Sequence, residues 1–202
     1  MTYKDIIHKT AIYVKDYMEN LNDISHDYNH IILVVKLAIK MAKIEGIHKY
    51  RDLFHITMGA LLHDVSDSKY SNEIQSIVIR KYLRRFKDLK TYDKMEIIRL
   101  ASNISLSKEN DNNRRMTKRN KKLFIIQDAD RINSLGAIGV MRYISYNVIN
   151  SDKPSFDEII ANMKKRTLKI QMYIKTTSGK KMASEHLKFI YKFIKNYEEF
   201  LK

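Results

Sequence analysis

The segment 28–45 reads YNHIILVVKLAIKMAKIE and decides the fold of this chain. Its apolar side chains recur at intervals of three and four residues, the period of one face of an α-helix. This stripe consists of Ile31, Val34, Val35, Ala38, Met41 and Ala42. His30 lies on the same side of the helix, because helical steps forward from it lead to Val34, Leu37 and Met41. The segment therefore predicts an apolar helix that carries one imidazole toward the core.

Outward from this segment, the helical period continues along most of the chain. Further apolar stripes lie near 4–20, 50–63, 72–86, 92–104, 121–148, 156–175 and 181–201. Five Gly and one Pro leave few places for a helix to stop, and no hairpin dipeptide separates alternating strands. Ser155 and Glu158 have the spacing of a capping box, and Ser71 is a weaker start signal. We expect an all-α, single-domain helical bundle over 1–202, with its core near 22–148 and C-terminal helices near 155–201.

The composition excludes several classes of protein. The chain of 202 residues contains no cysteine, which excludes disulfides, zinc ribbons and thiol nucleophiles and fits a reducing compartment. No apolar run approaches the roughly 18 residues of a membrane span, and the first ten residues lack the apolar core of a signal peptide. We therefore expect a soluble, cytoplasmic protein without a membrane partner.

The formal charge of +15 is unevenly distributed along the chain. Residues 1–75 hold 9 Lys or Arg against 10 Asp or Glu, whereas residues 76–202 hold 29 against 13. Such an excess suggests a basic face for phosphate or nucleic acid, although a solvated Lys-rich surface explains it equally simply. The polar stretch 105–120, SLSKENDNNRRMTKRN, predicts an exposed loop that is either functional or a plain insertion.

Three groups of polar residues stand in apolar surroundings. His63 and Asp64 end the apolar run 58–62, and Asp128 and Asp130 lie inside the apolar run 123–132. A buried carboxylate is costly unless a cation or a full set of donors accompanies it. A single histidine on an apolar face, such as His30, is more often a hydrogen-bonded core residue than a ligand. Together, however, these imidazoles and carboxylates form the ligand set of a divalent transition metal.

The order of these residues resembles the H…HD…D signature of the HD-domain metal-dependent phosphohydrolases. The resemblance extends to a subgroup of small bacterial HD-domain nucleotide (pyro)phosphohydrolases. It is carried by His26-Asp-Tyr-Asn-His30, Ala60-Leu-Leu-His-Asp64-Val-Ser-Asp67-Ser-Lys69, Gln127-Asp-Ala-Asp-Arg131, Ile132-Asn-Ser-Leu-Gly136-Ala-Ile-Gly139-Val-Met-Arg142 and Ile174-Lys-Thr-Thr-Ser-Gly-Lys-Lys-Met-Ala183. This ordered series is far more specific than the HD dipeptide alone.

The resemblance implies an all-α HD-domain bundle with one divalent metal ion in its core. Manganese is the first expectation, with iron, cobalt, nickel or magnesium as alternatives. The ligands that match the family pattern are His30, His63, Asp64 and Asp130. Spacing does not separate Asp128 from Asp130, and we choose Asp130 on the family pattern. Residues expected to surround the ligands are Asp27 and Asp128, the latter orienting a ligand histidine or a metal-bound water.

The resemblance also assigns roles around the metal. We expect Asp67 to act with Asp64 as a catalytic group, Asp67 as the general acid or base. Candidates for binding phosphate oxygens are Lys69, Arg131 and Arg142. Lys69 is equally well explained as a loop charge, and Arg131 as a structural partner of Asp128 or Asp27. The chain departs from the subgroup pattern where relatives usually carry Arg (here Leu33) and often an acidic residue (here Asn133).

The expected function is hydrolysis of a phosphoester or phosphoanhydride bond of a nucleotide or other phosphorylated small molecule. Conversion of a nucleoside triphosphate to monophosphate and pyrophosphate is one form of this reaction. One alternative is a phosphodiesterase acting on cyclic or oligomeric nucleotides. The other is a basic nucleic-acid-binding protein with a relic HD site, which the basic cluster 114–122 favours. A homo-oligomer stays open at this stage.

Overall fold

The computed structural model describes residues 1–21, 27–67, 71–106 and 118–201, the first two residues of the last range by backbone alone. All regular structure in these ranges is helical, which confirms the all-α fold. None of the helices has the length and apolarity that crossing a bilayer requires. The helices are α1 (Tyr3–Glu19), α2 (Tyr28–Ile44), α3 (Tyr50–Leu62), α4 (Gln75–Leu83), α5 (Thr91–Ala101), α6 (Lys118–Asn133), α7 (Gly136–Ile149), α8 (Phe156–Tyr173) and α9 (Thr177–Phe200).

Side-chain caps set several of the helix starts. The Ser155 hydroxyl accepts a hydrogen bond from the backbone N–H of Glu158 at 3.5 Å, where α8 begins. The prediction of a start at Ser71 is wrong, because α4 begins four residues later at Gln75. The Ser71 hydroxyl instead accepts from the N–H of Glu73 at 3.0 Å. Two caps that the sequence analysis did not identify, those of α1 and α9, are Thr2 and Thr176.

The predicted helix over 121–148 is two helices, because the chain breaks between α6 and α7. Gly136 has a φ of +71°, a left-handed conformation that L side chains rarely adopt. A Cβ on Gly139 would lie 2.3 Å from the Ser134 carbonyl, so this position also requires glycine. The polar stretch 105–120 is helical in its last three residues, and its residues 107–117 lie outside the described ranges.

Helices α2 and α3 contribute to both apolar cores of the molecule. One core joins them to α6, α8 and α9, and the other joins them to α1, α4 and α5. Fully burying one such aliphatic side chain contributes about 1.5–3 kcal/mol, so the two cores hold α2 and α3 firmly side by side. Asp27 then caps the start of α2, since its Oδ1 accepts a hydrogen bond from the N–H of His30 at 2.9 Å. The first turn of α2 is thereby fixed next to the last turn of α3.

A buried ion network links α3, α5 and α6. His55 Nε2 bonds Asp93 Oδ1 at 2.7 Å, and Lys122 Nζ bonds His55 Nδ1 at 3.1 Å, so His55 is a hydrogen-bonded core residue. Lys122 Nζ also lies 3.0 Å from Glu96, which accepts two hydrogen bonds of 2.9 Å from Arg99. Burial by itself raises the pKa of Glu96, but the hydrogen bonds from Arg99 and Lys122 outweigh it and lower that pKa to about 2.

The network predicts a large effect of Glu96→Gln on stability. We expect the free energy of unfolding near neutral pH to fall by about 3 kcal/mol, because Lys122 and Arg99 each lose a carboxylate partner in the protein interior. Since the Glu96 pKa is lower in the folded state than in the unfolded chain, its contribution is present above pH ~4.5 and is lost as the pH falls toward ~2. Denaturant unfolding at several pH values measures both effects.

Glu185→Gln is the matched control, because Glu185 pairs with Lys188 at 2.8 Å on the exposed surface. An exposed pair of this kind contributes under about 0.5 kcal/mol. Two results would contradict the role assigned to Glu96. One is an equal decrease in the free energy of unfolding in both variants, and the other is a decrease in Glu96→Gln that stays the same at acidic pH.

Candidate metal centre

Four side chains carried by α2, α6 and the end of α3 converge on one buried point. Asp64 Oδ2 lies 3.4 Å from His30 Nε2 and 3.3 Å from His63 Nε2. Asp130 Oδ1 lies 3.4 and 3.7 Å from the same two nitrogens. One ligand atom each from His30, His63 and Asp130 can be chosen so that all three lie within 4.8 Å of one another. The structure thus brings together all four residues that the sequence singled out as metal ligands.

The hydrogen bonds of His63 leave its inner nitrogen available to a metal. Nδ1 lies 2.8 Å from the carbonyl oxygen of Ala60, so it carries the proton and donates it. Nε2 of His63 and Oδ2 of Asp64 are buried and have no hydrogen-bond partner in the described part of the protein. A divalent cation bound by nitrogen and carboxylate ligands satisfies both atoms at once, which is why these residues fit a metal ion.

The charges at this point also favour a cation. Burial by itself lowers the pKa of His63, but Asp64 and Asp130 outweigh it and raise that pKa to about 9. Burial likewise raises the pKa of both carboxyl groups, and the two neighbouring imidazoles reverse this and lower those pKa values. Both carboxylates are therefore ionised at neutral pH, and the site attracts positive charge.

The outer nitrogen of His30 contacts two side chains of the α6–α7 region. Asn133 Nδ2 lies 2.5 Å and an Arg142 guanidinium nitrogen lies 2.7 Å from His30 Nδ1. A neutral imidazole that binds a metal through Nε2 carries its proton on Nδ1. With its oxygen and nitrogen assigned the other way round, the Asn133 side chain accepts a hydrogen bond from this N–H through Oδ1. Asn133, where relatives often have an acidic residue, can therefore still orient the first ligand.

The turn that follows α3 is held by residues outside the HD motif. Ser66 has a φ of 54°, a left-handed conformation unusual for a residue with a side chain. Its N–H donates to the Tyr17 hydroxyl at 3.0 Å. The Gln75 side-chain amide donates to the carbonyl oxygens of His63 and Val65 at 2.5 and 3.2 Å. The sequence analysis missed Tyr17 and Gln75, because no motif marks a side chain that bonds only to the backbone.

A cavity of about 430 Å³ opens over the metal centre. Asp67, the predicted acid or base, lines it and is 4% exposed. Arg142, a predicted phosphate ligand, also lines it, together with two cations that the sequence analysis missed, Arg166 and Lys169. Burial lowers the pKa of Arg166, whose guanidinium lies 5.3 Å from the centre of the Tyr143 ring. The cavity thus combines candidate metal ligands, one further buried carboxyl group and four cationic side chains, of which the fourth is Arg131.

The two predicted outer residues are engaged with the backbone. Asp128 Oδ2 accepts hydrogen bonds from the N–H and hydroxyl of Thr176 at 2.7 and 2.8 Å and from the N–H of Lys175 at 3.0 Å. Asp128 therefore anchors the start of α9, and a ligand histidine, one of the two partners predicted for it, is not among these hydrogen-bond partners. Asp27 caps α2 through the N–H of His30, so it supports that ligand through the main chain.

Of the other two predicted phosphate ligands, the structure describes Arg131 but not Lys69. Arg131 borders the cavity, but its guanidinium donates to the carbonyl oxygen of Tyr173 at 2.7 Å and lies 3.8 Å from Asp128. The alternative interpretation of Arg131, a structural partner of Asp128, therefore agrees with the structure. Lys69 lies outside the described residues, as do residues 114–117 of the basic cluster 114–122.

The fold and the site together define an all-α protein with a buried His/Asp centre suited to a divalent metal. The model of the HD domain family matches residues 27–135. Protein L803 of Acanthamoeba polyphaga mimivirus is 32% identical over 154 residues, which are 70% of this chain and 61% of that relative. This chain therefore spans less than two thirds of the length of that relative. By these findings, the chain belongs to the HD domain family.

Solved structures share the fold over nearly the whole chain. An HD-superfamily hydrolase from Bacillus thuringiensis has a TM-score of 0.75 and 26% identity, covering 99% of this chain and 98% of its own. Bacillus subtilis YpgQ in complex with ADP has a TM-score of 0.74 and 21% identity, covering 96% of each chain. With the family match, these structures show that the HD-type fold extends over nearly the whole chain.

Manganese should stabilise the protein through the four ligands. At a Mn²⁺ concentration about 100 times Kd, we expect the free energy of unfolding to rise by about 2.7 kcal/mol, a Tm increase of roughly 5–10 °C. Asp130→Asn should weaken Mn²⁺ binding at least about tenfold and reduce this shift, because an amide oxygen is a weaker ligand than a carboxylate. Thermal unfolding and calorimetric titration measure both effects. Asp152→Asn, on the exposed surface, should behave as the unaltered chain.

Asp128→Asn separates an anchoring role from a role at the metal. Loss of charged hydrogen bonds to Thr176 and Lys175 should lower the free energy of unfolding by about 2–3 kcal/mol. Mn²⁺ affinity should change by less than about threefold, whereas losing a residue that orients a metal ligand costs about 10–100-fold. A stable Asp128→Asn protein with strongly weakened Mn²⁺ binding would restore the interpretation made from the sequence.

Proposed function

We propose that this protein hydrolyses a phosphoester or phosphoanhydride bond of nucleotides. The observation that carries the proposal is the shared cavity, in which Arg142, Arg166 and Lys169 face the same space as the metal ligands. Three cations beside a metal centre match the several negative charges of a nucleoside di- or triphosphate. The complex of B. subtilis YpgQ with ADP supports this substrate class. Release of pyrophosphate from a nucleoside triphosphate is the first reaction to test.

Different side chains of the site have separate roles in the proposed hydrolysis. A divalent ion held by His30, His63, Asp64 and Asp130, manganese by preference, would supply a water of lowered pKa and polarise a phosphoryl oxygen. Asp67 accepts the proton of the attacking water or returns a proton to the leaving oxygen. Arg166 and Lys169 hold phosphate oxygens and stabilise charge that develops on them.

Arg142 links the metal centre to the substrate. In the structure its guanidinium contacts His30 Nδ1 at 2.7 Å. Because arginine only donates hydrogen bonds, it cannot keep this contact when Nδ1 itself carries a proton. A metal ion held by His30 Nε2 would leave Nδ1 protonated, and this contact would then be lost. Arg142 already lines the cavity, so its guanidinium would be available there for a phosphate oxygen of the nucleotide.

The relic-site alternative has little to support it. All four ligand residues and Asp67 are present, and His63 Nε2 and Asp64 Oδ2 lie 3.3 Å apart without a hydrogen-bond partner among the described residues. In a site that no longer binds a metal ion, the free-energy cost of burying these polar groups would not be offset. The phosphodiesterase alternative uses the same site on a different bond, so it becomes an arm of the experiment.

Phosphate and pyrophosphate release from a nucleotide panel tests the proposal. The panel contains mono-, di- and triphosphates and cyclic nucleotides, each with and without Mn²⁺. Asp67→Asn should lower kcat about 10²–10⁴-fold while Mn²⁺ binding is retained, because only the proton-transfer group is removed. Asp64→Ala should remove both Mn²⁺ binding and turnover.

Asp152 is exposed and has no assigned role, so the Asp152→Asn variant should keep full turnover. Turnover of cyclic nucleotides alone would favour the phosphodiesterase. Undiminished turnover in Asp64→Ala would disprove the site.

A further inference from the structure

We propose that a second surface of this protein, formed by α4 and the turn after it, binds the backbone of single-stranded nucleic acid. This surface, the α4 basic surface, consists of Arg80, Lys81, Arg84, Arg85, Lys87 and Lys90. The proposal does not depend on the proposed function, since no residue of this surface lines the cavity over the metal centre.

The α4 basic surface carries charge that the protein does not neutralise. All six side chains are exposed, and none forms an ion pair with another described residue. The one acidic residue between 80 and 90 is Asp88, and its carboxylate lies 3.2 Å from the N-terminal amine of Met1. Unneutralised cations this close together repel one another, so an external polyanion stabilises the arrangement.

Other basic regions of the chain are arranged differently. On α8 and α9, Lys164 pairs with Glu198 at 2.9 Å, Lys188 with Glu185 at 2.8 Å and Lys195 with Glu199 at 3.6 Å. Among the described residues, these two helices carry paired lysines beside unpaired ones such as Lys165 and Lys192, whereas all six cations of the α4 basic surface are unpaired. The contrast shows that a lysine-rich composition alone does not produce the unmixed charge of α4.

Aromatic rings lie directly beside the α4 basic surface. A cleft of about 220 Å³ between α1 and α4 is lined by Lys9, Arg85, Tyr13, Tyr82, Phe86 and Met1. The rings of Tyr13 and Tyr82 are stacked with centroids 4.1 Å apart, and the Arg85 guanidinium lies 5.4 Å from the centre of the Tyr82 ring. Tyr82 and Phe86 are buried, so Tyr13 is the partly exposed ring of this cleft. A basic track beside an accessible ring is the combination that single-stranded nucleic acids require, phosphates on cations and a base on the ring.

A membrane surface fits these observations less well. An interfacial helix needs a broad apolar face beside its basic residues. The exposed apolar residues of this region are Ile74, before α4, and Ile77 within it, while Tyr82 and Leu83 are buried in the protein. The charge therefore points to a polyanion bound from water.

Fluorescence anisotropy with a labelled single strand of about 20 nucleotides, RNA or DNA, tests the proposal in a KCl series. We expect the logarithm of the binding constant to fall linearly with the logarithm of the KCl concentration. Arg80→Ala, Lys81→Ala, Arg84→Ala and Lys87→Ala combined should reduce this slope by about 3 and the affinity at least about tenfold, because each phosphate contact on a single strand contributes about 0.7 to the slope. The matched control combines Lys36→Ala, Lys40→Ala, Lys43→Ala and Lys192→Ala, which removes equal charge from exposed positions on α2 and α9.

Two further measurements make each outcome decisive. The Mn²⁺-induced Tm shift, expected in both combined variants, shows that each is folded. Equal loss of binding in the two variants, or none in either, overturns the assignment to α4, and so does binding of acidic phospholipid vesicles in preference to the oligonucleotide. Failure of the nucleotide panel while the oligonucleotide still binds through α4 would disprove only the proposed hydrolysis.

Discussion

The burial of Asp64 between two imidazoles is the constraint on which the rest of the structure depends. Its Oδ2 atom and His63 Nε2 face each other at 3.3 Å inside the protein, and neither has a hydrogen-bond partner among the described residues. An ion or dipole left in this state costs several kcal/mol, which a cation at the same point offsets. The fold must therefore bring α2, α3 and α6 together precisely, and the two apolar cores supply the free energy for it.

The helix ends, more than the helix interiors, determine where the ligands point. Asp27 fixes the first turn of α2, which carries His30, and the Gln75 amide holds the carbonyl oxygens of His63 and Val65. Ser66 adopts a left-handed conformation that costs of order 1 kcal/mol, and its hydrogen bond to Tyr17 helps to maintain it. The strained residue lies between Asp64 and Asp67, so that both carboxyl groups line one cavity. The strained backbone of Ser66 therefore serves to place Asp64 and Asp67 at the same cavity.

The sequence predicts the parts of this site that depend on periodicity and on residue type. The helical stripe of 28–45 and the polar residues inside apolar runs drew attention to His30, to His63 and Asp64, and to a pair of aspartates. The resemblance to the HD family was needed to select Asp130 from that pair, and the structure brings Asp130 together with the other three. The break between α6 and α7 escaped prediction, because the apolar pattern continues through Gly136 and only a positive φ reveals the stop. Arg166 and Lys169 escaped for another reason, since they lie on α8 and reach the cavity only through the packing of helices distant in sequence.

The basic side chains that produce the net charge of +15 differ in how far they are buried. Arg166 is largely withdrawn from water, so that burial lowers its pKa, and its interaction with a bound phosphate is little affected by salt. The cations of α4 are exposed, and their interactions beyond about 8–10 Å are screened at physiological ionic strength. Salt should therefore act on the two regions differently: an anion in the cavity is held over a wide range of ionic strength, whereas a polyanion on α4 is released as salt rises. A single value of net charge conceals this difference, because burial decides how far each charge acts.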